Sequence, residues 1–410
     1  MRAVEPIDKW TPRNDNVEQE VGRLAEDAHT RKVPTVVARL VRRPGLKRTI
    51  LLTIVAAFSF GVVGSAGAKT TMVCMSGCPY TSIADAIADA SSGKTVTVGP
   101  GTYTGGIVID KSVKLVGSGL DQTVIQGGGM VVTVGKRASL TLVGVTVTGG
   151  MPDGSLPGLT STGGILNAGR LTLRDSAVSN NQALANGGGI YNYGKLRLTR
   201  SLIHGNSSGG SYNGGGGIYN DHGSVVINDS AMTENAAYLG GGVYNDDGTV
   251  KLDGASVNDN SAAGGGGILN DGLLAVTEST LSGNTVSADV GRAGGGGAID
   301  NSGTMTITAT AITANRAYFG GGIFNTGTVT INGGLIDGNT GNYAPGGPDG
   351  SGGGISNLGT LKLRGTVVSN NTLIPGGEGD GGGIFNTTSG TLVVQGGAMI
   401  GNIPDDCAGC

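Results

Sequence analysis

From Gly163 to Asn402 the chain repeats one unit, seen in full at Gly187–Asn206 as GGGIYNYGKLRLTRSLIHGN. The unit reads G-G-I-x-N-x-G-x-L-x-L, then a turn, then S-x-V-x-x-N. Its first Asn recurs as Asn167, Asn192, Asn220, Asn245, Asn270, Asn301, Asn325, Asn357 and Asn386. Its second recurs as Asn181, Asn206, Asn235, Asn260, Asn284, Asn315, Asn339, Asn371 and Asn402. Within a unit the two Asn lie 14 to 16 residues apart, whereas the gap to the next unit runs from 10 to 18. A constant core with all the length variation in one gap is the pattern of a solenoid, in which every coil stacks on its neighbour and one corner is free to extend. The longest gaps, after Asn206, Asn284, Asn339 and Asn371, are expected to project from one edge.

Alternating Leu196 and Leu198, or Leu361 and Leu363, have the period of a strand with one buried face, and Ile203, Met232, Val257, Leu281 and Ile312 stack as another. Strands of three to five residues suit this spacing. At an inward corner an Asn amide can bond the same amide one coil above and below, satisfying groups that are costly to bury unpaired. The two Asn series are therefore read as structural ladders. The Gly pair before Ile fits a tight corner or a positive φ, and the Gly that follows Asn, as in Gly194 or Gly272, fits a left-handed turn position.

Composition agrees with an internal repeat: 81 of 410 residues are Gly, without the third-residue period of collagen, while 38% are apolar, too many for a disordered linker. Met1–Arg48 carries eleven Lys or Arg against seven Asp or Glu, leaving 16 basic and 23 acidic residues in a mildly acidic remainder. No basic stripe interleaved with aromatics follows, so nucleic acid is not an expected partner.

Thr49–Val63, TILLTIVAAFSFGVV, is an uncharged run after Arg42, Arg43, Lys47 and Arg48, and it ends at Ser65-Ala66-Gly67-Ala68, a small-residue site. This reads as a secretory signal cut after Ala68, with a retained signal anchor as the alternative and the membrane a partner only in that case. Arg42-Arg43-Pro44-Gly45-Leu46-Lys47 resembles a twin-arginine signal, with Gly45 where a bulkier residue is usual, so the route of export stays open. The organisation is then a basic extension over 1–48, a signal region over 49–68, a cap and first coils over 69–162, nine repeats over 163–402 and a Cys-containing tail over 403–410.

Tyr80–Ala90, YTSIADAIADA, places Ile83, Ala84, Ile87 and Ala90 at helical spacing, and short β-branched runs broken by glycine follow. The order helix, V-x-V-x-P-G-T-Y, I-x-I-x-K-S-V-x-L-x-G and T-V-I, over Tyr80 to about Gly129, resembles the opening of right-handed parallel β-helix proteins of the pectate-lyase-like superfamily. That resemblance implies an all-β, right-handed parallel β-helix of about twelve or thirteen coils, with a short amino-terminal helix capping its open edge. The G-G-I and x-x-N elements also resemble repeats of polymorphic outer-membrane proteins, which are surface β-helices. That family's carboxy-terminal barrel is not matched by any segment of this sequence.

Enzymes of the superfamily carry recognisable sets: clustered Asp with G-H-G and R-I-K, a catalytic Arg with acidic calcium ligands, or paired Asp with Arg. None is assembled here, and His29, His204 and His222 lie in no catalytic motif. Two carboxylates suffice for a glycosidase, however. No catalytic residue is assigned, and two functions compete: an exported extracellular or cell-surface binding or structural protein, related to carbohydrate or adhesion with polysaccharide or glycan as partner, and a polysaccharide lyase or hydrolase with a divergent site.

Tyr191, Tyr219 and Tyr244 share one repeat position, either as an outward ladder for sugar rings or as cover for neighbouring side chains. Gly376–Gly383, GGEGDGGG, approaches a calcium-binding nonapeptide but occurs once, as a loop would. Asp221, Asp246 and Asp271 follow the first Asn in three consecutive coils, about 4.8 Å apart, a spacing at which like charges repel by about 1 to 4 kcal/mol per pair. With Asp247 and His222 beside them they form a candidate Ca²⁺ site, turn chemistry being the alternative; no cofactor is required. Cys74, Cys78, Cys407 and Cys410 are expected to be oxidised as two local pairs, because the stack separates the pairs by more than about 40 Å.

Overall fold

A computed structural model of the chain describes residues 71–152, 162–210, 212–287, 295–342, 351–374 and 381–410. The basic extension, the signal region and parts of the longest gaps, including most of Gly376–Gly383, lie outside the described residues. The fold is a parallel β-helix. Each coil gives one strand to a 12-stranded sheet and, in most coils, two to a 23-stranded sheet. Two- or three-residue strands in many coils form a third, narrow sheet, in which isolated bridges at Ala236 link a two-stranded stretch to a five-stranded one. Every pairing is between strands a coil apart, in parallel and in register, as in Ile190↔Ile218↔Val243↔Ile268.

Register follows from the repeat. In the strand Lys195–Thr199 only Leu196 and Leu198 point inward, so a one-residue slip would turn both into solvent. Stacked upon Leu171 and Leu173 below and Val225 and Ile227 above, they form columns with exposures of 2% or less. Each such side chain contributes about 1.5–3 kcal/mol through burial. Ile203, Met232, Val257, Leu281 and Ile312 form the parallel column expected of them.

Both Asn series are ladders. In the first, each amide donates to the next Asn oxygen at 2.6 to 2.9 Å from Asn167 to Asn386. In the second, the same step recurs at 2.9 to 3.0 Å from Asn181 to Asn402. All donate toward the carboxy-terminal end. A hydroxyl ladder not foreseen in the sequence runs beside them: the Ser176 and Ser201 backbone N–H groups donate to the hydroxyls of Ser201 and Ser230 one coil on. Its signal was the Ser of S-x-V-x-x-N.

Two glycine assignments need correction. Gly194 and Gly272 are not left-handed; a Cβ on either would overlap the carbonyl oxygen of Gly169 or Gly248 in the preceding coil. The pair Gly188 and Gly189 is likewise required by close approach, to the carbonyls of Gly216 and Gly217. The Gly one place earlier is left-handed, as at Gly187, Gly215, Gly240 and Gly265 with φ of 59 to 74°, and so is the corner between the two strands of the broad sheet, at Asp175, Arg200 and Asp229 with φ of 47 to 48°. Arg200 bonds Asp175 there with both guanidinium arms, at 2.8 and 2.9 Å.

A helix spans Ile83–Asp89, opened by Ser82, whose hydroxyl accepts the Asp85 N–H, and it buries Ile83, Ala86 and Ile87 in the core. Cys74 is bonded to Cys78 and Cys407 to Cys410, with Cα atoms 5.7 and 5.9 Å apart. Among the described residues no helix is long and apolar enough to cross a membrane.

Candidate functional site

The outer face of the 12-stranded sheet carries the residues on which function was expected to rest. Its strand is G-G-I-x-N, so Ile and Asn point inward and the residue between them points out. In successive coils that outward slot holds Leu166, Tyr191, Tyr219, Tyr244, Leu269, Asp300, Phe324, Ser356 and Phe385.

Tyr191, Tyr219 and Tyr244 stack with ring centroids 5.0 and 5.2 Å apart. They are no open platform, since Tyr191 and Tyr219 are buried, with Leu166, Met130 and Tyr193 packed around them. Each hydroxyl reaches one coil on, to the acid that follows the next Asn. Tyr191 donates to Asp221 at 2.7 Å, Tyr219 to Asp246, and Tyr244 to Asp271 at 2.8 Å. Burial first, and then the bonded carboxylate, holds all three phenols well above the usual tyrosine range, so they remain donors.

Asp221 and Asp246 are in register, and Asp271 follows them one coil on. His222 and Asp247 fill the extra residue of their turns with φ of 53 and 52°. Nδ1 of His222 lies 2.6 Å from Asp221 and Nε2 lies 3.9 Å from Asp247, both side chains of the latter pair being largely exposed. The bond to Asp221 raises the imidazole above its ordinary value. Ser302 donates to the second oxygen of Asp271 at 2.6 Å. Among the described residues no group of three or more His, Cys, Asp or Glu is gathered to hold a metal ion. Each of the three carboxylates accepts a tyrosine hydroxyl from the coil before it.

Asp300 escaped the sequence reading. It stands in the outward slot between Leu269 and Phe324, with its carboxyl against Gly295 and close to where Leu239 and Leu269 pack. Burial, with the charge of Asp271 adding to it, pushes its pKa up to about 7. The signal available was an acid in a slot otherwise filled by Leu, Tyr, Phe or Ser. Asp271, which accepts two hydroxyls, and Asp300, whose carboxyl burial holds above the usual carboxylate range, place two acids one coil apart on this face.

Together these features define a parallel β-helix with an acidic, tyrosine-backed outer face. No protein-family model matches the chain, and no curated protein matches it. Similar solved structures include pectin methylesterase PemA from Erwinia chrysanthemi, 12% identical with a TM-score of 0.39 over 53% of this chain and 80% of that one. They also include the Dettilon tailspike protein, 16% identical at 0.37 over 79% and 68%. Pectate lyase Pel9A is 17% identical at 0.36 over 76% and 82%. The likeness is one of fold, and no activity is carried over from it.

Proposed function

We propose that the protein is an exported, extracellular or cell-surface right-handed β-helix with a binding or structural role toward polysaccharide or cell-surface glycan. The observation that carries this reading is the division of labour within each coil. The periodic residues satisfy one another inside, as Asn ladders and apolar columns, and the outward slot changes from coil to coil. The slot itself is buried or half-buried in every repeat, so recognition of an extended polymer would fall to the turns beside it, where His222 and Asp247 are largely exposed. The helix Ile83–Asp89 would close the amino-terminal end, and the stretch over 49–68 would direct export. A glycan array tests the proposal, with retention of acidic or neutral polysaccharide expected. Absence of binding across polymer classes would refute the glycan role.

A second reading rests on Asp300. Its raised pKa, with the carboxyl of Asp271 one coil earlier on the same face, suits a glycoside hydrolase, which works with a pair of carboxyl groups. A reducing-end assay on the polysaccharides retained by the array separates the readings. New ends abolished by Asp300→Asn would favour the enzyme, and binding without new ends favours the scaffold.

A further inference from the structure

The first and last described coils of the solenoid differ in how their strands are covered. At the amino-terminal end the helix Ile83–Asp89 and the strand Met72–Val73 lie over the first rungs, and Val96 and Val98 are 0% and 1% exposed. At the other end the tail adds a partial rung to two of the three sheets: Ile403 bridges to Thr372, and Cys407 and Ala408 pair with Ile384 and Phe385. The broad sheet receives none. Its last strand, Thr391–Ile400, pairs on one side with Thr360–Ser369, and among the described residues no strand pairs with its other side. The inward rung of that strand is bare in consequence. Val394 is 46% exposed, whereas Leu363 directly beneath it is 1% exposed. Leu392 and Met399 are only partly buried above the fully buried Leu361 and Val368.

We propose that two copies of this protein join tail to tail, each placing Thr391–Ile400 against the same strand of the other about a two-fold axis. The ten residues TLVVQGGAMI contain no charge and no proline, the features by which edge strands ordinarily refuse a partner. A strand without charge meets its own antiparallel copy without repulsion, and a two-fold contact of this kind closes on itself. Both edges gain backbone hydrogen bonds, and Val394 and Met399 of each copy are covered by the other. At the amino-terminal end the strand Met72–Val73 pairs with Thr97 and Val98 of the broad sheet's first strand, and the helix there turns the exposed Asp85 and Asp89 outward. A charged partner would find no complementary charge on the strand.

Sedimentation velocity from about 1 to 100 μM is the test, since one coil's end face is at the small end of specific interfaces. A monomer–dimer equilibrium is expected, with the dimer weakened at least about tenfold by Val394→Lys, a change of roughly 1.4 kcal/mol, and unaffected by Asp85→Lys. X-ray scattering of the wild-type dimer should show nearly twice the monomer's maximum dimension, a readout that does not depend on any variant folding. A monomer throughout the range, open-ended polymers, a side-by-side dimer of unchanged length, or a dimer indifferent to a folded Val394→Lys would overturn the proposal.

Discussion

The side-chain amide of Asn402 donates to the carboxylate of Asp406 at 2.7 Å, and the Asn402 backbone N–H reaches the same oxygen at 3.2 Å. This contact ends a chain of nine amides, the first eight of which hand their donor to the next coil. At the other end the oxygen of Asn181 accepts the Gly150 N–H at 2.9 Å. The companion ladder is finished likewise, with Asn386 donating to the Gly409 carbonyl at 3.1 Å. Because every amide points the same way, the bonds polarise one another, and the last donor requires an acceptor of its own.

Asp406→Ala is therefore expected to loosen the last coil first. Two donors lose their acceptor, at about 1–3 kcal/mol for a buried group left unsatisfied. Hydrogen exchange should rise over Thr391–Asn402 while coils near Asn270 keep their protection. Unchanged exchange at the last coil would mean that Asp406 does not anchor the ladder.

A break in mid-ladder should do more harm. Asn270→Leu strands the donor of Asn245 and the acceptor of Asn301, both fully buried. A loss of roughly 2–4 kcal/mol in denaturant unfolding is expected. Leu273→Ser, three residues away at a side chain 55% exposed, should cost less than about 0.5 kcal/mol.

Much of this architecture was legible in the sequence because a solenoid writes its geometry as a period. Asn270 could be assigned to a ladder from spacing alone, since any residue at that place meets its own counterpart above and below. What the period hid were relations between different slots. Tyr219 and Asp246 lie in different columns and different coils, so a column-by-column reading saw a tyrosine stack and an acid stack and missed the hydroxyl–carboxylate bonds between them. Gly194 was misread for a related reason: its constraint is the carbonyl of Gly169 in the coil below, invisible in local turn chemistry. Asp300 was lost because it occurs once, and a search for repeats passes over single exceptions.

The tyrosine pairing bears on calcium. Asp246 accepts the Tyr219 hydroxyl, and Asp271 accepts hydroxyls from Tyr244 and Ser302. We expect millimolar Ca²⁺ to leave the melting temperature unchanged in the wild type, and Tyr219→Phe to lower stability by about 1–3 kcal/mol by stripping a donor from a charged acceptor. Binding heats in the wild type that vanish in Asp246→Asn would instead establish the metal site.

Asp300 sets the last expectation, a pH dependence with a definite sign. Its pKa is pushed from 3.8 to about 7 in the folded chain, so between those values the folded state holds a proton that the unfolded state has released. The carboxyl's contribution to stability is fully present below about pH 4, falls as pH rises, and is gone once pH passes about 7. Three units would amount to about 4 kcal/mol at 1.36 kcal/mol per unit. Asp300 keeps some contact with solvent, which reduces the figure, and a fall of roughly 1–3 kcal/mol between pH 4 and pH 8 is expected from this group. Asp300→Asn, which cannot ionise, should flatten that part of the profile and be more stable than the wild type at pH 8. The measurement is urea unfolding across the range for both proteins. Parallel profiles would show that Asp300 titrates as an ordinary surface carboxylate, and the proton donor required by the enzymatic reading would be lost with it.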